Sequence, residues 1–421
     1  MDPLDRDPLE RDLRDLLTDD RLALPTHWVS VDRVHAGAIR RRRRRAALTA
    51  VAGSVVVAAV TGSAVLAHPD RLGRQPAGTT TTTGDQSGRP TSSASGSTAT
   101  TPLPSVVGQP WDDAAVTSVT ATSTNALVVV GRTAGSCEAT CLRMAESHDQ
   151  GRTWTALPVP TDARSVDDVE GPRPETAAYA RFGSGQDGWL FGGGLWSTHD
   201  GGFTWAALDV PGGVYRLETA AGTAWALVDV GNSKEQLWSS PVGDDDWQRV
   251  DGVDVEGPAD LAVQGTRVVV LGTGDAAWTN DSGAFRRTQN PCATSVQVRI
   301  SGSGSLWATC ITGTAAHLVA SEDEGMTWTD VPVDTGQGAL PNSVSVGARS
   351  TGEAVLAIPT QPVARLDLTG KVSAVADPPT EGDVGYLGFT TRDVGYAIVG
   401  SALWRTDDGA ATWRQLDIAT P

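Results

Sequence analysis

The stretch SHDQGRTW at residues 147–154 decides the fold, because the chain repeats it. It returns as THDGGFTW at 198–205, as SEDEGMTW at 321–328 and, with Ala in place of the Gly, as TDDGAATW at 406–413. A worn copy, TNDSGAF, lies at 279–285. Several copies of one short motif in a single chain indicate a repeat architecture rather than a chance match.

The spacing of the copies predicts the kind of repeat. The residues that end successive copies, a further worn one included, are Trp154, Trp205, Trp247, Phe285, Trp328 and Trp413. The intervals between them are 51, 42, 38, 43 and 85 residues, so the last one spans two repeats and hides a copy near residues 340–375. Periods of about 40–50 residues are typical of β-propellers. The sequence predicts an all-β, seven-bladed β-propeller of four-stranded antiparallel blades over residues 111–421.

The motif resembles the Asp-box, or bacterial neuraminidase repeat, of sialidase-like propellers. In that family it turns the chain between the third and fourth strands of a blade, on the face away from the ligand site. Asp is suited to accept backbone hydrogen bonds, Gly to take a positive φ, and Trp to bury its ring. The resemblance implies a scaffolding role for Asp149, Gly151, Trp154, Asp200, Gly202, Trp205, Asp281, Gly283, Asp323, Gly325, Trp328, Asp408 and Trp413.

The same resemblance argues against catalysis. Sialidases of this family carry an Arg-Ile-Pro motif, three arginines that hold a carboxylate, a Tyr-Glu nucleophile pair and an Asp acid/base. Here Arg299-Ile300 is followed by Ser301, and the four tyrosines are explained by strand packing. We expect no enzyme, no catalytic residue and no cofactor, and a sialidase-like glycosidase is the least favoured alternative. Photosystem-assembly propellers, which the chain resembles as it does sortilin-like ones, act by binding proteins.

Three arginines are the candidate ligand-binding residues. Arg181, Arg216 and Arg299 each precede the Trp of a predicted second strand by eight or nine residues. They therefore fall on predicted first strands, which line the central channel of a propeller. Arginines from different blades could bind a carboxylate, sulfate or phosphate group there. The alternative is that each one pairs with a nearby acid such as Asp187 or Glu218.

Charge and cysteine content set further limits. Residues 111–421 hold 19 basic and 39 acidic side chains, a net charge of −20, which should repel nucleic acid. Two local pairs of cysteines, Cys137 with Cys141 and Cys292 with Cys310, predict two disulfides in an oxidising compartment. Metal binding is the rival interpretation, but the chain lacks Cys-x-x-Cys and has no His close to either pair. We expect no metal site.

The region before residue 111 predicts a membrane anchor. Residues 46–67 form an uncharged run of 22, long enough to cross a bilayer, and six arginines at 40–45 precede it. Arginines hold their flank in the cytoplasm, so the propeller is predicted to lie outside the cell membrane, behind a Thr/Ser/Gly/Pro-rich stalk at 68–110. Cleavage after residues 65–67 is the alternative to a permanent single-pass anchor.

Residues 1–45 form the predicted cytoplasmic segment. Its apolar stripe, at helical spacing, consists of Leu9, Leu13, Leu16 and Leu17. A stripe this short cannot bury itself, so it either binds a cytoplasmic protein or stays partly disordered. We favour a membrane-tethered binding or assembly module for a protein or an envelope glycan. The alternative is a signalling protein whose layout is similar to that of membrane-bound anti-sigma factors, although their His-x-x-x-Cys-x-x-Cys motif is missing. The sequence leaves the ligand and the binding face open.

Overall fold

The structure is a computed structural model, and only part of the chain is described. The described residues are 105–106, 108–111, 114–134, 137, 140–165, 173–281, 283–292, 295–333, 339–359, 361–374 and 384–420. The predicted cytoplasmic segment with its leucine stripe, the predicted transmembrane helix and residues 68–104 of the predicted stalk lie outside them. Among the described residues, no helix is long and apolar enough to cross a membrane.

Regular structure in the described ranges is entirely β-strand. In chain order the strands are β1 (Ser105–Val106), β2 (Ala115–Ala121), β3 (Leu127–Arg132), β4 (Leu142–Ser147), β5 (Thr155–Leu157), β6 (Val159–Pro160), β7 (Arg164–Ser165), β8 (Thr176–Ala177), β9 (Tyr179–Phe182), β10 (Gly188–Phe191), β11 (Leu195–Thr198), β12 (Ala206–Ala207), β13 (Gly213–Ala220), β14 (Thr223–Gly231), β15 (Lys234–Pro241), β16 (Gln248–Gln264), β17 (Arg267–Thr273), β18 (Ala276–Asp281), β19 (Ala284–Gln289), β20 (Ser295–Ile300), β21 (Leu306–Thr312), β22 (Ala315–Ser321), β23 (Thr329–Val331), β24 (Leu340–Pro341), β25 (Ser345–Ser350), β26 (Glu353–Ala357), β27 (Ala364–Asp367), β28 (Val372–Ala374), β29 (Val384–Phe389), β30 (Gly395–Val399), β31 (Ala402–Thr406) and β32 (Arg414–Leu416). The all-β prediction is confirmed.

Most strands belong to antiparallel sheets whose strand order follows the chain. Sheet 1 is β2–β5, sheet 2 is β9–β12, sheet 3 is β13–β19, sheet 4 is β20–β23 with β24 added on β22, sheet 5 is β25–β28 and sheet 6 is β29–β32. Sheets 1, 2, 5 and 6 have four strands each. Two small pairs remain, β1 with β6 and β7 with β8.

Sheet 3 is longer because one strand serves both of its halves. The 17-residue strand β16 pairs with β15 through its first part and with β17 through its second part. Its pairing register breaks between Glu256 and Asp260, where the strand changes partner. The strand thus acts as the last strand of β13–β16 and as the first strand of β16–β19.

The sheets form a closed ring. The first strands contact one another in order, from β2 through β9, β13, β16, β20 and β25 to β29, and β2 also contacts β30 and β31 of the last sheet. Two hydrogen bonds fasten the closure, from Val116 N to Ser401 O (3.0 Å) and from Trp111 N to Thr420 Oγ1 (2.8 Å). A ring of antiparallel sheets with their first strands innermost is a β-propeller.

The core lies between neighbouring sheets, which explains the composition of the second strands. β10 reads GWLF and is buried at all four positions, because sheets cover both of its faces. Trp189, on this strand, is 0% exposed and packs edge-on against Trp247 of sheet 3, with ring centroids 6.0 Å apart. Since both faces are covered, such strands read as continuous apolar runs rather than as an alternation.

The four copies of the motif that keep the Thr-Trp end fold into one kind of turn, which we call the repeat corner. In the corner at 198–205, Asp200 accepts hydrogen bonds from Thr204 N (2.8 Å), Thr204 Oγ1 (2.6 Å) and Thr198 Oγ1 (2.9 Å). The N–H of Gly202 donates to Thr198 Oγ1 (2.9 Å). The same bonds recur around Asp149, Asp323 and Asp408. Each corner connects the third and fourth strands of its sheet.

These hydrogen bonds keep the corner carboxylates ionised. The backbone N–H and the hydroxyl of Thr153 hold the pKa of Asp149 well below its usual range. Burial opposes ionisation at Asp200, but the hydrogen bonds from Thr204 and Thr198 still lower its pKa. A carboxylate committed to its own backbone in this way is a poor proton donor.

The worn copy at 279–285 folds differently. β18 ends at Asp281 and β19 begins at Ala284, so two residues connect them, whereas seven connect β4 to β5 in the corner at 147–154. Asp281 pairs directly with Ala284, and Gly283 has a φ of 99° that suits a tight hairpin. Without the Thr-Trp end the chain turns more tightly here, although Asp281 and Gly283 still lie where the third strand of β16–β19 meets the fourth.

We expect Gly151→Ala to destabilise the protein by about 2–3 kcal/mol. Gly151 has a φ of 78°, and a Cβ there would lie 2.7 Å from Leu416 Cδ1 of sheet 6. Gly222→Ala is the matched control, because Gly222 has a φ of 77° and nothing within 4 Å of an added Cβ. It should lose only about 1 kcal/mol, the cost of backbone strain. Denaturant unfolding measures both, and equal losses would contradict the packing explanation.

Both predicted disulfides are present. Cys137 bonds to Cys141 between β3 and β4, and Cys292 bonds to Cys310 of β21. Each one closes a local loop. The folded region also begins earlier than predicted, because Ser105–Val106, within the predicted stalk, pairs with Val159–Pro160.

Candidate functional site

The three candidate arginines lie on first strands of neighbouring sheets. Arg181 is on β9, Arg216 is on β13 and Arg299 is on β20. Between β13 and β20 in the ring lies the second part of β16, which carries Asp260. These inner strands contact one another in that order. We call the three arginines, with their acidic partners Glu218 and Asp260, the axial cluster.

Arg181 is fully occupied by its neighbours. Its Nε lies 3.1 Å from both carboxylate oxygens of Glu218 on β13, and its Nη2 lies 3.0 Å from Oε1. Its Nη1 donates to Ser118 Oγ (3.2 Å) and to Ala180 O (2.9 Å). Burial opposes its charge, but Glu218 more than offsets this, so the pKa of Arg181 is raised. This arginine ties three inner strands together, and each of its three nitrogens donates at least one hydrogen bond.

Arg216 and Arg299 share one carboxylate. Arg216 Nε donates to Asp260 Oδ1 (2.9 Å), and Arg299 Nη1 donates to Asp260 Oδ2 (3.1 Å). Asp260 also accepts a hydrogen bond from Val298 N (2.9 Å), and its side chain is only 6% exposed. Two guanidinium groups therefore face a single negative charge. Within the described part of the chain, Nη2 of Arg216 donates no hydrogen bond, and the Arg216 side chain is 45% exposed.

The register places Glu218 where sequence counting had placed an arginine. Arg181 lies opposite Trp189 and Arg299 lies opposite Trp307, but the residue opposite Trp225 is Glu218. Arg216 lies opposite Leu227, two residues nearer the strand's start than Glu218, because only two residues connect β13 to β14, whereas five connect β9 to β10. The three arginines are therefore not equivalent positions. Of the acids named as alternative partners, Glu218 binds Arg181, while Asp187 binds His199 instead.

Tyrosines accompany the arginines on the inner strands. Tyr179 is two residues before Arg181 on β9, and Tyr215 directly precedes Arg216 on β13. The Tyr179 side chain is 39% exposed, with its ring 5.7 Å from that of Phe191. Packing against the strand therefore explains only the buried portion of the Tyr179 side chain. Both tyrosines could have been found from the sequence, because each lies within two residues of a candidate arginine.

Glu235 is a further acidic residue near the cluster, and its carboxyl group is partly protonated near pH 7. It lies at the start of β15, opposite Asp229 of β14. Burial raises the pKa of Glu235 to about 7, and the charge of Asp229 adds to the rise, while Arg216 counteracts it. Protonation of Glu235 removes one negative charge from the surroundings of Arg216, which still pairs with Asp260. Glu235 could not be identified from the sequence, because its raised pKa depends on burial.

The chemistry of the axial cluster is that of anion binding. Three guanidinium groups against two carboxylates leave one net positive charge in a domain that is otherwise strongly acidic. Guanidinium groups bind carboxylates, sulfates and phosphates through paired hydrogen bonds. No group of three or more His, Cys, Asp or Glu side chains in the described ranges could hold a metal ion.

Comparison with known proteins gives similarity in fold. No family model and no curated protein matches the chain. Among solved structures, YCF48 bound to a D1 peptide is similar over 72% of this chain and 96% of that one, at 17% identity and a TM-score of 0.49. YCF48 from Cyanidioschyzon merolae is 13% identical over 73% of this chain and 98% of that one, with a TM-score of 0.48.

The structure of an enzyme is similar to this chain to the same degree. A streptogramin B lyase is 12% identical, covering 76% of this chain and all of the lyase, with a TM-score of 0.48. Binding proteins and enzymes thus stand side by side among the similar structures. At these identities the likeness concerns the fold alone, and what places this chain among the β-propellers is its own closed ring of antiparallel sheets.

Proposed function

We propose that the chain is a membrane-tethered, extracytoplasmic binding module whose axial cluster holds an anionic group of a protein or an envelope glycan. The sharing of Asp260 by Arg216 and Arg299 carries the proposal. One carboxylate cannot use all the donors of two guanidinium groups, so donor capacity is left for a ligand. Arg216, as the most exposed of the three arginines, is the residue we assign to ligand contact.

The cluster is held firmly enough to act as a binding site. Arg181 and Glu218 join sheets 2 and 3, and Asp260 joins the two halves of sheet 3 and sheet 4. Side chains fixed before binding lose little conformational freedom when the ligand arrives. The exposed ring of Tyr179 lies on the same inner strand as Arg181 and offers apolar contact.

The proposal includes seven blades, with β16 shared by the third and the fourth. Support comes from the core inside sheet 3, which has the same character as the cores between separate sheets. Its buried side chains come from both halves, Leu227 and Leu237 from one and Leu261 and Val270 from the other. Counting β13–β16 and β16–β19 separately makes seven units of four strands, with β24 added to the unit β20–β23.

The membrane part of the proposal rests on the sequence and on the disulfides. Residues 46–67 would cross the bilayer, with the arginines at 40–45 on the cytoplasmic side. Two disulfides suit a domain that folds in an oxidising compartment. Protease added outside intact cells should degrade the propeller and spare a tag at the N-terminus, and protection of both ends would contradict this orientation.

Arg216→Gln should weaken ligand binding about tenfold or more, because it removes a charge-assisted hydrogen bond. The full chain would be tested on arrays of acidic peptides and anionic glycans, and the strongest binder measured by calorimetry. The matched control is Arg249→Gln. Arg249 is 40% exposed and pairs with Asp254, much as Arg216 pairs with an aspartate, but it lies on the first, outer part of β16.

The outcomes separate binding from folding. If Arg216→Gln and Arg249→Gln unfold at the same denaturant concentration and only the first loses binding, the axial cluster is the site. Binding that persists in the Arg216→Gln/Arg299→Gln double variant would exclude it. Release of product from any array compound would instead support the enzymatic alternative.

A further inference from the structure

His199 bridges two sheets with both of its ring nitrogens. It is the second residue of the repeat corner at 198–205. Its Nδ1 lies 2.9 Å from Asp187 Oδ1, in the β9–β10 connection of sheet 2, and its Nε2 lies 3.4 Å from Asp245 Oδ2, in the β15–β16 connection of sheet 3. The corner thereby gains a contact to the neighbouring sheet that its backbone hydrogen bonds do not provide.

The geometry requires a charged ring. Carboxylate oxygens accept hydrogen bonds and cannot donate them, so both nitrogens of His199 must carry a proton to make both contacts. Asp187 and Asp245 are the charged groups that face the ring from the neighbouring connections. Burial opposes the charge, but the hydrogen bonds with these two carboxylates outweigh it, so the pKa of His199 is raised above 6.5. Asp200, next in the chain, is committed to Thr204.

We propose that the Asp187–His199–Asp245 bridge is a pH-sensitive clamp on the seam between sheets 2 and 3. When the ring loses a proton, one of its nitrogens becomes an acceptor that faces a carboxylate oxygen. The two aspartates then lose the single positive charge that lay between them. The clamp therefore holds when His199 is charged and loosens when His199 is neutral.

The loop that carries Asp245 connects the clamp to the core. Trp247, two residues further on, packs edge-on against the buried Trp189 of sheet 2. Ser197 Oγ donates to Asp245 Oδ2 (2.9 Å), so sheet 2 holds this aspartate at two points. Loss of the His199 contact removes one of them and leaves the 242–247 loop attached through Ser197 and the Trp pair. Opening of this loop is thus the expected response to rising pH.

The direction of the pH effect follows from the raised pKa. A histidine that is more basic in the folded protein stabilises it fully below the unfolded pKa of about 6.5, and this contribution is lost as the pH rises through the higher folded value. The seam should be tightest in mild acid.

Hydrogen exchange of the full chain tests the clamp. After correction for intrinsic rates, amides at 183–187 and 242–247 should exchange several-fold faster at about pH 8.5 than at about pH 6. His199→Gln should remove the difference by exchanging fast at both values. His148→Gln is the control, because His148 has the same place in the corner at 147–154 but contacts only Glu146 of its own sheet (3.1 Å) and is 74% exposed.

A second measurement keeps the proposal testable if His199→Gln is poorly folded. In Asp245→Asn the NMR titration of His199 should move to lower pH, because one of its two carboxylate partners has lost its charge. An unchanged titration in that variant would overturn the proposal. So would equal exchange of the wild-type seam at the two pH values.

Discussion

Asp260→Ala is expected to lower the free energy of unfolding by about 2–4 kcal/mol, a loss that few single substitutions reach. Asp260 is buried and holds Arg216, Arg299 and the Val298 N–H at once. Without it, Arg216 and Arg299 both lose the carboxylate that they share. Breaking a buried pair typically costs about 3–5 kcal/mol, and the partial exposure of both arginines reduces this figure.

The control for Asp260 is an aspartate in an exposed pair. Asp254 lies on the same strand and binds Arg249, with side-chain exposures of 48% and 40%. Asp254→Ala should cost less than about 1 kcal/mol, as exposed ion pairs usually do. Denaturant unfolding near pH 7 measures both variants. Similar losses in the two would mean that the axial cluster contributes no more to stability than a surface ion pair does.

Added salt distinguishes charge from packing in the same variant. If unpaired arginines cause the loss, Asp260→Ala should recover part of its stability as the ionic strength rises, because salt screens their mutual repulsion. A packing defect would persist at any salt concentration. Asp260→Asn keeps the shape and should show the same salt dependence.

The repeat corners were readable from the sequence because their interactions are local. Asp200, Thr198 and Thr204 lie within seven residues, so the hydrogen bonds of the corner are written into the motif itself. The alternation of corners with apolar second strands was enough to predict the sheets. A sequence pattern can predict a turn when the residues that stabilise the turn lie next to one another in the chain.

The worn copy at 279–285 shows that part of the motif is not enough to predict the form of the turn. Asp281 keeps the aspartate and Gly283 keeps the glycine, yet the chain closes a two-residue hairpin there. The Thr-Trp end of the motif, absent in this copy, supplies the hydroxyl and the buried ring that hold a longer corner open. Two matching residues therefore did not specify the turn, and the missing pair decided it.

The sequence was enough to place the three arginines on first strands, but it did not predict which acidic residues pair with them. The three arginines were assigned to first strands by counting from a Trp, yet the short connection between β13 and β14 places Glu218, and not Arg216, opposite Trp225. Asp260 and Glu218 come from other strands, 44 and 37 residues from their arginine partners. Contacts of that separation depend on the ring, which no local pattern encodes.

The ring also explains why fold and activity must be argued separately. Its inner strands bring together side chains from distant parts of the chain, whatever those side chains are. A propeller therefore supplies a site, and the residues in it decide between binding and catalysis. Here those residues are paired arginines, which suit the recognition of an anion.

Arg405→Ala should cost about 3–5 kcal/mol, because Arg405 fastens the last sheet to the first. Its side chain is 1% exposed. Its Nη1 donates to Thr124 O of sheet 1 (3.1 Å) and to Tyr396 Oη (2.9 Å), and its Nε donates to Asp407 (2.9 Å). The guanidinium also lies over the Tyr396 ring, 5.6 Å from its centroid. Truncation leaves a cavity and removes the hydrogen bond to the hydroxyl of the buried Tyr396.

The control on this seam is Arg414→Ala. Arg414 also reaches sheet 1, through Nη2 to Gln150 O (2.8 Å), but its side chain is 42% exposed and water can replace it. Its loss should stay below about 1 kcal/mol. Hydrogen exchange would show whether the ring opens there, with β2 and the turn at Thr124 losing protection in Arg405→Ala. If β2 stayed protected while stability fell, the damage would be confined to sheet 6, and the ring would be closed by the Val116 and Trp111 hydrogen bonds instead.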